Sequence, residues 1–179
     1  MYILKIICAM IPATIIGVMF RDFFELLMEN MLVLGIGFMF SGIIIYLTKF
    51  SKVQEKEVGF LDALIIGIGQ SLALFPSVSR SGMTISSGLL RNINRTEAAR
   101  FSFLLAVPAL IGANFFELKN IASLDISYFI LIISFITTFI VSLFTIQFLV
   151  RIIQSDKFYL FSWYNIILGI LIVVWSVFF

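Results

Sequence analysis

Long apolar stretches, separated by short polar segments, occupy most of this chain. They comprise residues 2–20, 31–48, 60–75, 82–90, 98–116, 127–150 and 159–179. A helix needs about 20 residues to cross the roughly 30 Å hydrocarbon core of a bilayer. Five of the stretches approach that length, so the pattern predicts an all-α polytopic membrane protein with about five transmembrane helices in one domain, residues 1–179.

The stretches 60–75 and 82–90 are too short to cross a bilayer. Between them lies the sequence PSVSRSG, which contains a helix-breaking proline, three serines and an arginine. Non-helical backbone is tolerated at membrane depth where protein or a watery cavity satisfies its polar groups. We therefore predict that residues 60–91 form a re-entrant helical hairpin, that its second half-helix begins near Gly82, and that residues 76–84 form a phosphate-binding loop.

The distribution of positive charge favours the hairpin over a single crossing. With Arg80 set aside, a hairpin places nine Lys and Arg residues on one face and only Arg21 and Lys119 opposite, whereas a single crossing would divide them five against six. Lys and Arg accumulate on the cytoplasmic side of membrane proteins. This predicts a cytoplasmic N-terminus and an external C-terminus. The nine are Lys5, Lys49, Lys52, Lys56, Arg91, Arg95, Arg100, Arg151 and Lys157.

Composition agrees with a membrane protein and narrows the chemistry. Hydrophobic residues make up 61% of the chain and charged residues 12%, against about 25% charged residues in soluble domains. A net charge of +2, spread through loops, does not indicate a nucleic-acid partner. The chain has no His and a single Cys, so we predict no metal site assembled by this chain alone.

Arg80 is the residue that most clearly indicates a ligand. An unpaired guanidinium costs a few kcal/mol or more at membrane depth, so it requires an anion. Arg80 offers a planar fork of donors, and a half-helix beginning nearby would point free N–H groups at the same place. The neighbouring polar residues predicted to bind a phosphate or diphosphate are Ser77, Ser79, Ser81, Gly82 and Thr84.

Some of these residues also have a simpler interpretation. Ser79 or Ser81 could simply cap the half-helix without binding a ligand. Arg80 could be an interfacial charge if the hairpin is shallow. Gln70, a further candidate ligand, could instead hydrogen-bond between helices. The glycines of residues 35–42 and 67–69 favour close approach of helices rather than a phosphate cradle.

Residues 69–84, GQSLALFPSVSRSGMT, resemble the second signature of the bacitracin-resistance type undecaprenyl-diphosphatases. Residues 97–109, EAARFSFLLAVPA, are similar to the helix that follows that signature, and residues 11–23 resemble the segment before it. The resemblance covers essentially the whole chain. Taken together, these segments are much more specific than a serine-arginine pair alone.

The resemblance implies a fold and an activity. The family is a multi-pass cell-membrane hydrolase built from inverted repeats with re-entrant hairpins, and it removes the terminal phosphate of undecaprenyl diphosphate to regenerate the carrier lipid for cell-wall glycans. By this resemblance Ser79 and Arg80 would be catalytic. Arg80 would hold the diphosphate, and Ser79 would be a phosphate ligand or a nucleophile.

Two departures from the family pattern qualify the implied activity. Ser77 stands where the family usually has glycine. The family also has a first half with a glutamate-rich motif and a histidine, which supply proton transfer and help to hold a divalent cation, Mg²⁺ or Ca²⁺. The present chain resembles only the C-terminal portion, so a companion N-terminal half or a homodimer would be required.

Three functions remain open at the level of sequence. The first is the phosphatase, complete only with additional sequence. The second is a non-catalytic protein that binds or transports polyprenyl phosphate, because half-helices around an anion site also suit alternating access. The third is a purely structural membrane subunit.

Overall fold

The computed structural model of the chain describes residues 1–52, 55–121 and 127–178, except for the side chains of residues 116–121. Lys119, one of the two charges predicted on the external face, is therefore outside the described side chains. Most of the described residues are helical, and they contain no strand. The helices are α1 (Tyr2–Met19), α2 (Arg21–Met28), α3 (Met31–Leu47), α4 (Phe60–Leu72), α5 (Arg80–Leu90), α6 (Arg95–Ile121), α7 (Tyr128–Gln154) and α8 (Phe161–Phe178).

Five helical segments are long and apolar enough to cross a membrane, as the apolar stretches predict. They are Tyr2–Met19, Met31–Phe50, Arg95–Phe115, Tyr128–Gln154 and Phe158–Phe178. Two of them include a short 3₁₀-helix, Thr48–Phe50 or Phe158–Leu160. The five predicted spans and the all-α fold class are confirmed, and the chain is a multi-pass membrane protein.

Glycine allows the spans to pack closely. A Cβ atom added to Gly35 would lie 3.0 Å from the carbonyl oxygen of Gly169, and one added to Gly42 would lie 3.0 Å from the carbonyl oxygen of Ser162. Helices α3 and α8 therefore touch backbone to backbone. A Cβ on Gly67 of α4 would overlap the carbonyl oxygen of Ala9 on α1. The predicted role of these glycines in close helix approach is confirmed.

Helices α4 and α5 form an antiparallel pair, which we call the hairpin together with its connecting residues 73–79. With 13 and 11 residues, they are about 20 Å and 16 Å long at 1.5 Å per residue, short of the hydrocarbon thickness. A Cβ on Gly69 of α4 would overlap the hydroxyl of Ser87 on α5. The two short helices predicted from the sequence are therefore present and lie against each other.

A buried carboxylate joins the two ends of the hairpin. Asp62, in the first turn of α4, is 3% exposed and accepts hydrogen bonds from Lys56 Nζ at 2.9 Å and from Arg91 Nε at 2.9 Å. It also accepts the Gly59 N–H at 3.1 Å. Arg91 immediately follows α5, so residues at the beginning and the end of the hairpin meet at one place.

The tip of the hairpin lies beside the middle of α3. A Cβ on Gly37 would overlap the carbonyl oxygen of Pro76, and Gly37 is the seventh of the 17 residues of α3. At 1.5 Å per residue, Gly37 is about 15 Å from the end of α3 at Leu47. That distance is half the thickness of a hydrocarbon core of about 30 Å.

Helix α2 is an element that the apolar pattern does not predict. It is eight residues long and contains three charged and five apolar residues. Phe24 is its buried residue, and the Phe24 ring lies 5.2 Å from the ring of Phe75 in an edge-to-face arrangement. Because Phe75 directly precedes Pro76, α2 covers one side of the hairpin tip.

Candidate functional site

The second helix of the hairpin begins at Arg80, two residues before the predicted start near Gly82. Ser79 is its N-cap, with extended backbone, and its Oγ accepts the N–H of Gly82 at 3.0 Å. The predicted loop 76–84 therefore ends at Ser79, and residues 80–84 form the first helical turn. The capping interpretation of Ser79 is confirmed, although the cap uses only an acceptor position and leaves the hydroxyl proton to be donated.

The beginning of α5 presents unpaired backbone donors. The N–H of Ser79 donates to Ser41 Oγ and that of Gly82 to Ser79 Oγ. The N–H groups of Arg80 and Ser81 have no partner among the residues described. Free N–H groups at a helix N-terminus, together with the positive end of the helix dipole, suit an anion.

The side chain of Arg80 adds a positive charge to these two amides. Arg80 is half-buried, yet its guanidinium makes no ion pair or hydrogen bond with any side chain that the structure describes. The five N–H donors of a guanidinium match the oxygen atoms of phosphate. A partly desolvated and unpaired guanidinium beside free amides is the feature of this chain best suited to bind a phosphate.

Ser77 has a left-handed backbone, with φ of 62°. This conformation costs an L-residue other than glycine about 1–2 kcal/mol. The departure from the family pattern at this position, serine in place of glycine, therefore falls on a backbone conformation that glycine adopts freely. Ser77 lies beside Pro76, whose carbonyl oxygen contacts α3 at Gly37.

The remaining predicted ligands have different environments. Ser81 is partly exposed in the first turn of α5, whereas Gly82 is buried. Thr84 is 2% exposed. Its hydroxyl bonds to the Arg80 carbonyl oxygen at 3.0 Å and to Ser102 Oγ at 2.6 Å, and either hydroxyl can be the donor in the second bond. Ser81 is thus accessible to a ligand, while Thr84 joins the hairpin to α6.

Gln70 lies on α4 and is 4% exposed. Its side-chain oxygen is buried and has no hydrogen-bond partner among the described residues. The alternative prediction for Gln70, a hydrogen bond between helices, is therefore not seen for this oxygen. Its role as a ligand stays a prediction.

Three supporting residues of the site escaped sequence reasoning. Ser41 accepts the Ser79 N–H at 3.2 Å, and Ser102 bonds to Thr84. Gly37 contacts the Pro76 carbonyl oxygen, whereas the sequence predicted only that Gly37 allows two helices to approach closely. All three lie outside the motif of residues 69–84. For Gly37 and Ser41, the cluster of small residues 35–42 was the available signal, but it did not show which element these residues contact.

The donors around Arg80 do not suit a divalent cation. Hydroxyl, amide and guanidinium groups surround the N-terminus of α5, and cations such as Mg²⁺ and Ca²⁺ require oxygen ligands that usually include carboxylates. Within the described part of the chain, no group of three or more acidic or cysteine residues is arranged to hold a metal ion. The arrangement is suited to an anion.

Comparison with known proteins agrees with these features. Residues 1–171 match the family described as bacitracin resistance protein BacA. The undecaprenyl-diphosphatase of Carboxydothermus hydrogenoformans is 40% identical over 96% of this chain and 69% of its own length. That of Methanosphaera stadtmanae is 38% identical over 96% of this chain and 63% of its own length.

The chain therefore spans about two thirds of the length of these two relatives. Another relative, the undecaprenyl-diphosphatase of Methanothermobacter thermautotrophicus, is 35% identical, and the match covers 93% of this chain and 96% of that protein. The hairpin with Arg80 at its tip lies inside the region matched by the family. This chain belongs to the bacitracin resistance protein BacA family.

Proposed function

We propose that this chain is an undecaprenyl-diphosphatase, which hydrolyses undecaprenyl diphosphate to undecaprenyl phosphate and orthophosphate in carrier-lipid recycling. The relatives at 35–40% identity carry that name. The single observation that carries the proposal is the unpaired, half-buried guanidinium of Arg80 beside two free backbone N–H groups. A diphosphate head group supplies the negative charge that these donors lack.

Arg80 and the amides of Arg80 and Ser81 would act on charge. They would bind the non-bridging oxygens of the diphosphate and stabilise the negative charge that develops as the phosphoanhydride bond breaks. Ser81 would donate its hydroxyl to the same group. Ser79 would either donate its proton to a phosphate oxygen or attack the terminal phosphorus as a nucleophile.

The remaining predicted ligands would bind or support the diphosphate. Ser77, Gly82 and Gln70 would line its site. Thr84 would hold the first turn of α5 through its bond to Ser102.

The site would lie at membrane depth, within a re-entrant hairpin. Two contacts support this placement: the tip meets α3 at Gly37, and the two ends of the hairpin meet at Asp62. A lipid with a diphosphate head could reach such a site while its chain stays in the bilayer. With the positive face in the cytoplasm, the N-terminus would be cytoplasmic and the C-terminus external.

Further groups would be needed for efficient hydrolysis. Phosphoryl transfer requires charge neutralisation and an oriented nucleophile, and it commonly uses Mg²⁺. We propose that a divalent cation, Mg²⁺ or Ca²⁺, takes part, with ligands from outside the cluster around Arg80. These ligands would come from a companion N-terminal half or from a second copy of this chain.

A non-catalytic role in binding or transporting polyprenyl phosphate is the second candidate. It is favoured by the absence of any carboxylate bonded to Arg80, Ser79 or Ser81 in the described part of the chain. A site that binds a phosphate without a general base can hold the lipid without cleaving it. Such a protein would bind polyprenyl phosphate and release no orthophosphate.

The test is orthophosphate release from undecaprenyl diphosphate by the purified chain in detergent, with added Mg²⁺ or Ca²⁺. The phosphatase proposal predicts release that falls at least a hundredfold in Arg80→Ala, because a charge-assisted phosphate contact contributes about 1.5–3 kcal/mol in addition to its role in the transition state. Arg151→Ala, an exposed arginine at the end of α7, should match the wild type.

Release that persists in Arg80→Ala would contradict the assignment of Arg80. If neither the wild-type chain nor a mixture with the N-terminal region of a longer relative releases orthophosphate, autonomous and complemented catalysis both fail. Lipid-phosphate binding that still depends on Arg80 would then support the non-catalytic alternative.

A further inference from the structure

Three residues of α3, spaced four apart, contact the hairpin tip in sequence order. Gly37 meets the Pro76 carbonyl oxygen, and Ser41 Oγ accepts the Ser79 N–H at 3.2 Å. Ile45 lies against Gly82, where an added Cβ would be 2.9 Å from Ile45 Cδ1. Residues spaced by four share one face of a helix. One face of α3 therefore supports residues 76–82 along their length.

Ser41 provides the polar contact in this row. It is 0% exposed, and the N–H that it accepts belongs to the N-cap of α5. The bond is partly buried, and an N–H that loses its partner away from water carries an energetic penalty. The bond between Ser79 and Ser41 therefore holds the residue that directly precedes Arg80 against α3.

We propose that Ser41 is a positioning residue for the phosphate site, an inference that rests on the function proposed above. Ser41 acts through Ser79. It fixes the backbone from which the Arg80 side chain and the free N–H groups of Arg80 and Ser81 extend. Anion binding by these groups depends on their convergence on one point, so a small displacement of Ser79 separates the guanidinium from the amides.

Ser86 provides a matched control for Ser41. Ser86, on α5, is also 0% exposed, but its hydroxyl has no partner among the described residues. Loss of the hydroxyl at Ser86 removes an unsatisfied polar group, whereas loss at Ser41 leaves the Ser79 N–H unsatisfied. Comparison of Ser41→Ala with Ser86→Ala therefore distinguishes the effect of releasing the hairpin tip from the effect of removing a buried hydroxyl.

The experiment measures the affinity of the full chain in detergent for farnesyl diphosphate, a short polyprenyl diphosphate. The variants are Ser41→Ala, Ser41→Thr, Ser86→Ala and Arg80→Ala, each also measured for thermal stability without ligand. Ser41→Ala is expected to bind about tenfold more weakly, corresponding to about 1.4 kcal/mol. Ser86→Ala is expected to bind as the wild type does, and Ser41→Thr, which keeps the hydroxyl, to recover most of the affinity.

Affinity is determined on the folded fraction, so a purely structural role of Ser41 would lower the melting temperature and leave the affinity unchanged. Wild-type affinity in Ser41→Ala, together with loss of binding in Arg80→Ala, overturns the positioning role and leaves the proposed function intact. Unchanged binding in Arg80→Ala overturns the phosphate site itself, and the role of Ser41 with it.

Discussion

The hairpin and α7 both contain many apolar residues, but they differ in how far the rest of the chain buries their side chains. In α5, seven of eleven residues are buried by the rest of the chain. In α7, every residue from 128 to 148 is exposed, and Ile153 is the buried residue of this 27-residue helix. α7 also has the highest mean hydropathy of the five spans.

The difference lies in small and polar residues rather than in hydrophobicity. Lipid solvates an exposed apolar helix, so apolar content alone does not bring helices together in a membrane. The hairpin packs because glycine and serine allow close approach of backbones, as at Gly69 and Ser87. Hydrogen bonds of Thr84 and Asp62 then hold the hairpin at its tip and at its two ends.

The largest effect should come from filling a close contact of the hairpin. Gly37→Ala places a methyl group on the Pro76 carbonyl oxygen, so the tip must move away from α3. We expect a loss of about 3 kcal/mol in stability, the upper part of the range for overpacking, together with loss of farnesyl diphosphate binding. Thermal unfolding in detergent and a binding titration measure the two effects.

Gly112→Ala is the matched control on the exposed part of α6. An added Cβ there meets no atom within 4 Å, and alanine is favoured over glycine in a helix by about 0.5–1 kcal/mol. Equal destabilisation by the two substitutions would contradict the contrast between the packed hairpin and the lipid-exposed helices.

Asp62→Asn should produce an intermediate loss of about 2 kcal/mol, because the buried acceptor of Lys56, Arg91 and the Gly59 N–H loses its charge. Burial by itself raises the pKa of Asp62, but these hydrogen bonds outweigh it and hold the pKa below its usual value. Its stabilisation is therefore complete above the unfolded value of about 4 and is lost as the pH falls through the lower folded value.

The melting temperature of the wild-type chain should consequently fall below about pH 4 more steeply than that of Asp62→Asn. Asp22→Asn, at an exposed carboxylate of α2, should leave the stability at neutral pH within about 0.5 kcal/mol of the wild type. Parallel pH profiles for the wild type and Asp62→Asn would show that Asp62 does not hold the two ends of the hairpin together.

Ser77→Gly should have the smallest effect and the opposite sign. Glycine removes the cost of the left-handed backbone at φ of 62°. The greater freedom of glycine in the unfolded chain offsets part of this effect, so the free energy of unfolding should rise by at most about 1 kcal/mol. The melting temperature measures the change. A clear decrease would indicate that the Ser77 side chain makes a stabilising contact that outweighs its backbone strain.

The spans were predictable because the thickness and apolar character of the bilayer determine how long and how apolar a crossing helix must be. The short helices of the hairpin followed from Pro76 and the polar residues after it. The start of α5 was predicted near Gly82 and lies at Arg80, because Ser79 and Ser81 are both plausible caps and only the backbone shows that Ser79 is used. Helix α2 was missed, since eight residues are too few for a periodic pattern to stand out.

The polar partners of the site could not be predicted from sequence. Ser41 is 38 positions from Ser79, and Ser102 is 18 positions from Thr84. Neither pairing has a local sequence pattern, because each results from the way the hairpin docks on a transmembrane helix. Arg80 could be proposed from sequence alone, since an arginine beside a helix break in an apolar segment predicts a bound anion.

Binding of a phosphate group at the hairpin tip through Arg80 is the proposal on which the other roles depend. The most direct measurement is the affinity of the purified chain for farnesyl diphosphate, with Arg80→Gln compared with Arg151→Gln, an equal change of charge on the exposed α7. We predict at least tenfold weaker binding for Arg80→Gln and wild-type affinity for Arg151→Gln. Equal affinities for both variants would contradict the claim.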